Sequence, residues 1–196
     1  MSTAISVMIL VAILVAAGVG AIVGVSVYKR RQSARLRTRF GVEYDRTIQK
    51  LGDRSLAEAE LEQREARVSK LTIRPLTEEQ VERFSQAWSR VQGRFVDSPK
   101  GAVGEADKLV TELMTARGYP MSDFERRASD ISVDHPGVVE SYRSARVIAG
   151  KNARGEADTE ELRKAVVHYR TLFADLLEVP APQAVERSQP RIVRRS

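Results

Sequence analysis

The residues best suited to catalysis are an adjacent aspartate and histidine, Asp134 and His135. An imidazole beside a carboxylate can act as a general base in hydrolases of the triad type. The hydroxyl groups nearby in sequence belong to Ser132, Ser141 and Tyr142. The favoured interpretation is structural, because Asp134 followed by Pro136 is typical of a helix start, where the aspartate accepts hydrogen bonds from free N–H groups. Asp134 and His135 are therefore a candidate polar corner with helix capping as its main role.

Metal and nucleotide chemistry has little support in the rest of the chain. There is no cysteine, and the second histidine, His168, stands far from the first. No HExxH, EF-hand or GxxxxGK[ST] pattern occurs, and Gly101-Ala102-Val103-Gly104 lacks the following glycine of a dinucleotide fingerprint. The sequence therefore predicts no metal site, no cofactor, no catalytic residue and no enzymatic activity.

The N-terminal segment from Ala4 to Tyr28 carries no charge, and 20 of its 25 residues are hydrophobic. A helix of this length measures about 37 Å, enough to cross a hydrocarbon core of about 30 Å. No Lys or Arg precedes the segment, and it is longer than the apolar part of a cleaved signal peptide. We expect residues 1–28 to form a retained transmembrane anchor.

Basic residues follow this anchor directly. The six residues are Lys29, Arg30, Arg31, Arg35, Arg37 and Arg39. The positive-inside rule then predicts a single-pass protein of the plasma (inner) membrane, with the N-terminus outside and the C-terminal domain in the cytoplasm. The residues closest to the anchor are candidate contacts for anionic lipid headgroups: Lys29, Arg30, Arg31 and Arg35. The alternative, which we favour, is that these charges determine topology alone.

Small residues recur every four positions inside the anchor, at Ala12, Ala16, Gly20 and Gly24. Such a face lets two membrane helices pack closely, and Gly20 to Gly24 forms a GxxxG motif. We expect homo-oligomerisation or packing against a partner helix. Because glycine and alanine are common in membrane helices, a chance match is the alternative.

The charge distribution beyond the anchor argues against nucleic acid as a partner. The chain has a net charge of +6 and an isoelectric point near 9.8. Residues 40–185, however, hold 22 basic and 25 acidic side chains, so the positive excess lies beside the membrane and in the C-terminal tail. No aromatic residue alternates with the arginines of the tail to stack on bases.

Residues 29–75 read as a basic juxtamembrane segment followed by a polar helical stalk. Gly52 ends one short helix, and Asp53 is a predicted N-cap for the next. That helix has sparse apolar positions, which are Leu56, Leu61, Val68 and Leu71. A helix that buries so little is expected to be a stalk or a coiled coil that needs a partner.

Residues 76–179 have the periodicity of a small cytoplasmic bundle of four longer or shorter helices. Thr77 and Gln80 form a capping box, and Ser122 with Glu125 a second one. The first helix carries an apolar stripe at Val81, Phe84, Trp88, Val91 and Phe95. No segment alternates like a strand, so the sequence predicts an all-α fold. Residues 180–196, rich in Pro and Arg, are expected to be a disordered basic tail.

Four short segments resemble a set found in a family of short bacterial single-pass membrane proteins. They are Arg39-Phe40-Gly41-Val42-Glu43-Tyr44-Asp45-Arg46, Arg117-Gly118-Tyr119-Pro120, Asp123-Phe124-Glu125-Arg126-Arg127 and Ser132-Val133-Asp134-His135-Pro136-Gly137-Val138-Val139-Glu140. The resemblance implies one N-terminal span, a basic flank and a helical domain. The family has no assigned activity, so the resemblance implies no site residues.

Together these features predict a membrane-tethered helical interaction or scaffold protein that binds a protein partner or itself. The first alternative is the binding of anionic lipid or nucleic acid through Lys29–Arg39 and the arginine-rich tail. The second is a membrane-bound hydrolase that uses Asp134 and His135. Charge argues against the nucleic-acid alternative, and the helix-capping interpretation of Asp134 and Pro136 argues against the hydrolase.

Overall fold

The computed structural model describes the backbone of residues 2–177 and, within the first helix, the side chains of residues 8, 18, 20, 21 and 23 onward. It is all-helical over this range, which confirms the predicted all-α fold. The helices are α1 (Ser2–Phe40), α2 (Val42–Leu51), α3 (Arg54–Val68), α4 (Glu78–Asp97), α5 (Pro99–Arg117), α6 (Phe124–Asp134), α7 (Val139–Ala153) and α8 (Thr159–Leu177). The predicted tail, residues 180–196, lies outside the described residues.

Helices α4 to α8 enclose one hydrophobic core, which we call the bundle core. The bundle region thus contains five helices rather than the four predicted. The stripe of α4 meets α8, where the rings of Trp88 and Phe173 stack with centroids 4.8 Å apart. Tyr142 of α7 and Tyr169 of α8 are fully buried. The Tyr169 hydroxyl donates to Asp107 Oδ1 at 2.7 Å, so the core keeps this polar atom satisfied.

Local capping interactions explain where these helices begin. Thr77 and Gln80 form the predicted capping box, with hydrogen bonds of 3.2 and 3.0 Å. The second predicted box was placed one residue too early. Asp123, not Ser122, accepts the hydrogen bond from the backbone N–H of Arg126, at 3.0 Å. The helix that starts there, α6, extends to Asp134.

A second, smaller core joins α1, α2, α3 and α6, and we call it the junction core. Its members are Leu36, Phe40, Tyr44, Leu61, Val68 and Val133. Leu36, Phe40 and Leu61 are completely buried. The segment that we expected to be a stalk therefore has packing partners within its own chain. Its buried face is wider than its leucines and valines indicate, because Ala57 and Arg64 belong to it.

Two glycines allow the chain to reverse direction into the junction core. Gly41 and Gly52 have φ angles of 51° and 71°, a region that residues with a Cβ rarely adopt. Gly41 ends α1, and Gly52 ends α2 in the left-handed conformation. Asp53 then caps α3 as predicted, accepting from the N–H of Leu56 at 2.8 Å. The chain thereby returns along the last turns of α1.

The connection from α3 to α4 lies against the C-terminal end of α5. The N–H of Arg74 donates to the carbonyl of Arg117 at 2.9 Å. Gly118, with φ of 96°, has the carbonyl oxygen of Thr72 only 2.4 Å from the position that a Cβ would occupy. Only glycine fits this close approach. The connection therefore ties the junction core to the bundle core.

Within the part of the chain that the structure describes, no helix combines the length and apolar character that crossing a membrane requires. Most side chains of the predicted anchor, those of residues 1–7, 9–17, 19 and 22, lie outside that part. The backbone of α1 is helical through this segment and continues to Phe40 without a break.

Candidate functional site

The polar corner does not have the capping role that the sequence indicates. Asp134 is the last residue of α6, and α7 begins only at Val139, with no side-chain cap. The Asp134 carboxylate instead lies 3.8 Å from Nη2 of Arg39 and accepts from the Tyr119 hydroxyl at 3.4 Å. Its role is to connect the end of α1 with the bundle. The capping prediction failed because α6 continues through the position where a new helix was expected to start.

His135 pairs with an aspartate on another helix. The side chain is only 7% exposed, and its Nδ1 lies 2.5 Å from Oδ2 of Asp175 in α8. The nearby hydroxyls are engaged elsewhere: Ser132 donates to the carbonyl of Ser129 at 2.6 Å, and Tyr142 accepts from Arg127 at 3.4 Å. The ring of Tyr119 lies edge-on to the imidazole, with centroids 6.4 Å apart, and its hydroxyl donates to Asp134. The pair of His135 and Asp175 joins α8 to the turn between α6 and α7.

The candidate lipid contacts divide into two groups. Lys29, Arg30 and Arg31 are exposed, and within the described residues none of them forms an ion pair. Arg35 lies 2.9 Å from Glu65 Oε2 and 3.8 Å from Glu62 Oε1, both on α3. Arg35 therefore helps to hold α3 against α1, a role that its place in a basic run did not indicate.

The small-residue face of the anchor is only partly described. Ala12 and Ala16 lie outside the described side chains. Gly20 and Gly24 are exposed, and nothing lies within 4 Å of a Cβ built on either. This half of the face is thus free of contacts from the chain itself.

The structure reveals a polar cluster that the sequence did not indicate, and we call it the arginine cleft. It is lined by α2, α3, α6 and α7 and has a volume of about 280 Å³. The lining residues are Glu43, Arg46, Thr47, Lys50, Arg64, Glu125, Ser129 and Arg143. Four of them are cations and two are carboxylates, so the lining carries a positive excess.

Three charged side chains of the arginine cleft are nearly inaccessible to solvent. Glu43, Arg64 and Arg143 are 3%, 5% and 7% exposed. Charged groups are seldom buried to this extent unless they are paired, and here one carboxylate serves several guanidinium groups. Glu43 lies 3.3 Å from Nε of Arg143, 3.5 Å from Nη1 of Arg64 and 3.9 Å from Nε of Arg46. The cluster links helices that are 100 residues apart in sequence.

Burial and ion pairing have opposite effects on the pKa of Arg143. Burial lowers the pKa of the guanidinium group, but the neighbouring Glu43 and Glu125 carboxylates outweigh it and raise the pKa above its ordinary value. Glu125 accepts from Nη1 of Arg143 at 3.0 Å and lies 3.8 Å from the Lys50 ammonium. Arg143 therefore remains charged although it is buried.

One signal in the sequence could have identified Arg64. Ala57, Leu61, Arg64 and Val68 follow one another at spacings of four, three and four, which places all of them on one helical face. A charged residue in the middle of an apolar stripe indicates a buried charge with a partner. The residues that Arg64 meets could not be identified from this pattern, because Glu43 and Arg143 belong to other helices.

Three of the four segments that carry the sequence resemblance meet at or beside this cleft. Glu43 and Arg46 come from the first of them and Glu125 from the third, and Arg46 reaches Glu140 of the fourth at 3.1 Å. Arg39 of the first also approaches Asp134 of the fourth. Residues 94 positions apart in sequence are thus brought into contact.

Comparison with known proteins gives no family for the chain: no protein-family profile, curated protein or solved structure matches it. Among the described residues, no three His, Asp or Glu side chains group in a way that could hold a metal ion.

Proposed function

We propose that the chain is a single-pass membrane protein whose helical domain works as an interaction or scaffold module in the cytoplasm, binding a protein partner or a second copy. The observation that carries this proposal is the uncharged segment from Ala4 to Tyr28, followed directly by six basic residues. A segment of this length and composition is typical of a membrane anchor, and the basic residues favour a cytoplasmic domain.

The position of the basic residues supports the same orientation. Lys29, Arg30 and Arg31 are exposed on α1 immediately after the uncharged segment, where they can remain in the headgroup region. Arg35 and Arg39 are drawn into contacts with α3, so the helical domain begins within about two turns of the proposed membrane surface.

The distribution of polar groups favours binding over catalysis. His135 and Asp175 lie together at a helix junction, and the buried Arg143 and Asp130 pair with Glu43 and Arg67 across two others. The exposed face at Gly20 and Gly24 offers a surface on which a second membrane helix could pack. The partner proposed is therefore a protein with a membrane helix of its own, including a second copy of this chain.

Membrane orientation is tested with single cysteines, since the chain has none of its own. Val96 is 82% exposed, so Val96→Cys places a reactive thiol on the helical domain, and Ser2→Cys places one before the anchor. In intact cells, an impermeant maleimide should label Ser2→Cys and leave Val96→Cys unlabelled until the membrane is opened. Labelling of Val96→Cys in intact cells would contradict the proposed orientation, and release of the protein from membranes at alkaline pH would contradict the anchor.

Partner binding is tested by capture of the tagged full chain from native membranes in mild detergent, compared with fragment 74–196. A stoichiometric protein that is retained by the full chain and lost with the fragment supports an adaptor that recruits through α1 to α3. Gly20→Leu and Gly24→Leu should abolish the association if the small-residue face carries it. Recovery of the full chain as a monomer without a partner would contradict the proposal.

A further inference from the structure

The ion pairs within the arginine cleft do not satisfy every hydrogen-bond donor of its arginine side chains among the described residues. Charge-assisted hydrogen bonds between a guanidinium group and a carboxylate are optimal at about 2.7–2.9 Å. The contacts that Glu43 makes with Arg143, Arg64 and Arg46 are all longer, between 3.3 and 3.9 Å. One carboxylate is thus shared among three cations. Each cation also has a closer carboxylate of its own, at 3.0 Å for Arg143 and Arg64 and at 3.1 Å for Arg46.

Arg64 provides the strongest sign of a missing partner. The side chain is buried, and its Nε donates to Glu60 at 3.0 Å. Its Nη1 lies 3.5 Å from Glu43 Oε2 but donates no hydrogen bond to any of the described residues. A buried N–H group without a hydrogen bond costs about 1–3 kcal/mol, and more when it is charged. This atom belongs to a residue that lines the cleft, so a ligand in the cleft can reach the side chain that needs an acceptor.

The remaining lining residues also favour an anion. Arg46 and Lys50 stand at the more exposed side, and the hydroxyl-bearing Ser129 lies at the wall formed by α6. The two carboxylates, Glu43 and Glu125, are already engaged with Arg143. Arg46 donates to Glu140 at 3.1 Å and Arg64 to Glu60 at 3.0 Å, but each guanidinium group has further N–H donors that can turn towards a ligand. The Lys50 ammonium, 3.8 Å from Glu125, can do the same. A volume of about 280 Å³ fits a compact group rather than an extended molecule.

We propose that the arginine cleft binds a small phosphoryl group, held by Arg46, Lys50 and Arg64 with Ser129 as a neutral donor. A tetrahedral oxyanion has several acceptor oxygens that point in different directions, so it can accept hydrogen bonds from cations on separate helices at once. The phosphoryl group can belong to a soluble phosphate ester or to a lipid headgroup. Binding would connect α2, α3 and α6, so the ligand would stabilise the junction between the two cores.

The test uses the full chain in a neutral detergent, with inorganic phosphate as the probe at constant ionic strength. Thermal unfolding followed through Trp88 fluorescence should show a saturable rise of the melting temperature with phosphate, because the ligand binds the folded state. Lys50→Gln, a substitution at the exposed side of the cleft, should weaken the apparent affinity about fivefold, the effect of losing one partly exposed cation.

Lys108→Gln is the matched control, since Lys108 also lies near a carboxylate, 3.9 Å from Glu112, but outside the cleft. It removes the same charge and should leave the phosphate affinity unchanged. Equal effects of Lys50→Gln and Lys108→Gln would overturn the proposal, as they would indicate nonspecific screening. The absence of a saturable response to both inorganic phosphate and phosphatidic acid in the same detergent would also overturn it.

The two sources of the phosphoryl group are separated in the same assay. A response to inorganic phosphate that depends on Lys50 and is unchanged by phosphatidic acid supports a soluble phosphate ester. A response to phosphatidic acid that depends on Lys50 and competes with inorganic phosphate supports a lipid headgroup. Arg64→Lys keeps the charge but shortens the reach and removes the fork of donors, so it should reduce the response while retaining the fold.

Discussion

Substitution of a single residue is expected to change the stability of this protein most where neighbouring atoms closely confine the backbone or a charged group. Gly118 is one such position, and Glu58 is another, since its carboxylate accepts from the Tyr44 hydroxyl at 2.7 Å and from Nε of Arg54 at 3.0 Å. Gly118 lies where the connection from α3 to α4 meets α5, and Glu58 lies where α3 meets α2. Neither position stands out in the sequence by residue type alone.

Gly118→Ala should destabilise the protein by about 2 kcal/mol or more. The new Cβ would require a left-handed backbone and would approach the carbonyl oxygen of Thr72. Gly104→Ala is the control, because Gly104 lies within α5 with nothing within 4 Å of an added Cβ. There alanine should stabilise the helix by about 0.5–1 kcal/mol. Chemical denaturation of the two variants should therefore give shifts of opposite sign, and equal shifts would refute this account.

Glu58 should make stability depend on pH in the acid range. Burial raises the pKa of its carboxyl group, but hydrogen bonds from Ser33, Tyr44 and Arg54 outweigh burial and lower the pKa below the ordinary 4.5. A depressed pKa contributes stability above the unfolded-state pKa, and this contribution is lost as the pH falls through the folded-state value. Glu58→Gln should thus be less stable than the wild type at pH 7, by about 1 kcal/mol, with the difference vanishing at low pH.

Glu156 provides the comparison for this measurement. Its carboxylate also pairs with an arginine, Arg154, but both side chains are more than half exposed. Solvent screening makes such a pair worth little. Glu156→Gln should therefore leave the unfolding free energy nearly unchanged between pH 3 and pH 7. A constant difference between Glu58→Gln and the wild type over the same range would rule out the linkage.

At the scale of the helices, sequence signals within a few residues predicted where helices begin and end. They did not predict how helices distant in sequence pack together. The caps at Thr77 and Asp53 and the glycine stop at position 52 follow from interactions within a few residues, and the structure confirms them. The docking of α3 depends on contacts with α1, α2 and α6, which no local pattern specifies. Arg64 also made the buried face of α3 hard to recognise in the sequence, because a charged residue is ordinarily interpreted as solvent-exposed.

The docking of α3 predicts a sharp contrast between two of its leucines. Leu61 is fully buried in the junction core, whereas Leu56 is 60% exposed. Leu61→Ala should cost about 2–5 kcal/mol, and Leu56→Ala should change the unfolding free energy by less than about 0.5 kcal/mol. Hydrogen exchange should show faster exchange of the α3 amides in Leu61→Ala alone. Similar exchange in both variants would indicate that α3 does not pack within the chain.

At the scale of the whole molecule, the junction core and the bundle core depend on each other. Val133 of α6 contributes to the junction core, and Asp130, only 1% exposed, receives Arg67 of α3 at 2.8 Å. Arg143 of α7 reaches across to Glu43 of α2. The candidate site could not be predicted from the sequence for this reason: its charges come from four helices and meet only when both cores are assembled.

This dependence predicts that the bundle has a lower melting temperature when the first three helices are removed. Fragment 74–196 lacks Arg67 and Glu43, the partners of Asp130 and Arg143, and leaves Val133 without its neighbours. Its melting temperature should be about 5 °C or more below that of fragment 29–196, which keeps the junction core. Calorimetry of the two fragments gives the comparison. Identical melting temperatures would indicate that the bundle core is independent.

The unbroken course of α1 has a mechanical consequence. The helix runs from Ser2 to Phe40, and its last turns are buried in the junction core, so no hinge separates the proposed membrane segment from the domain. Its portion beyond Tyr28 is a rigid arm of about 18 Å. A helix adjusts to bilayer thickness by tilting, and here any tilt would swing the whole domain with it. The thickness of the surrounding bilayer would then set the angle at which the arginine cleft faces the cell interior.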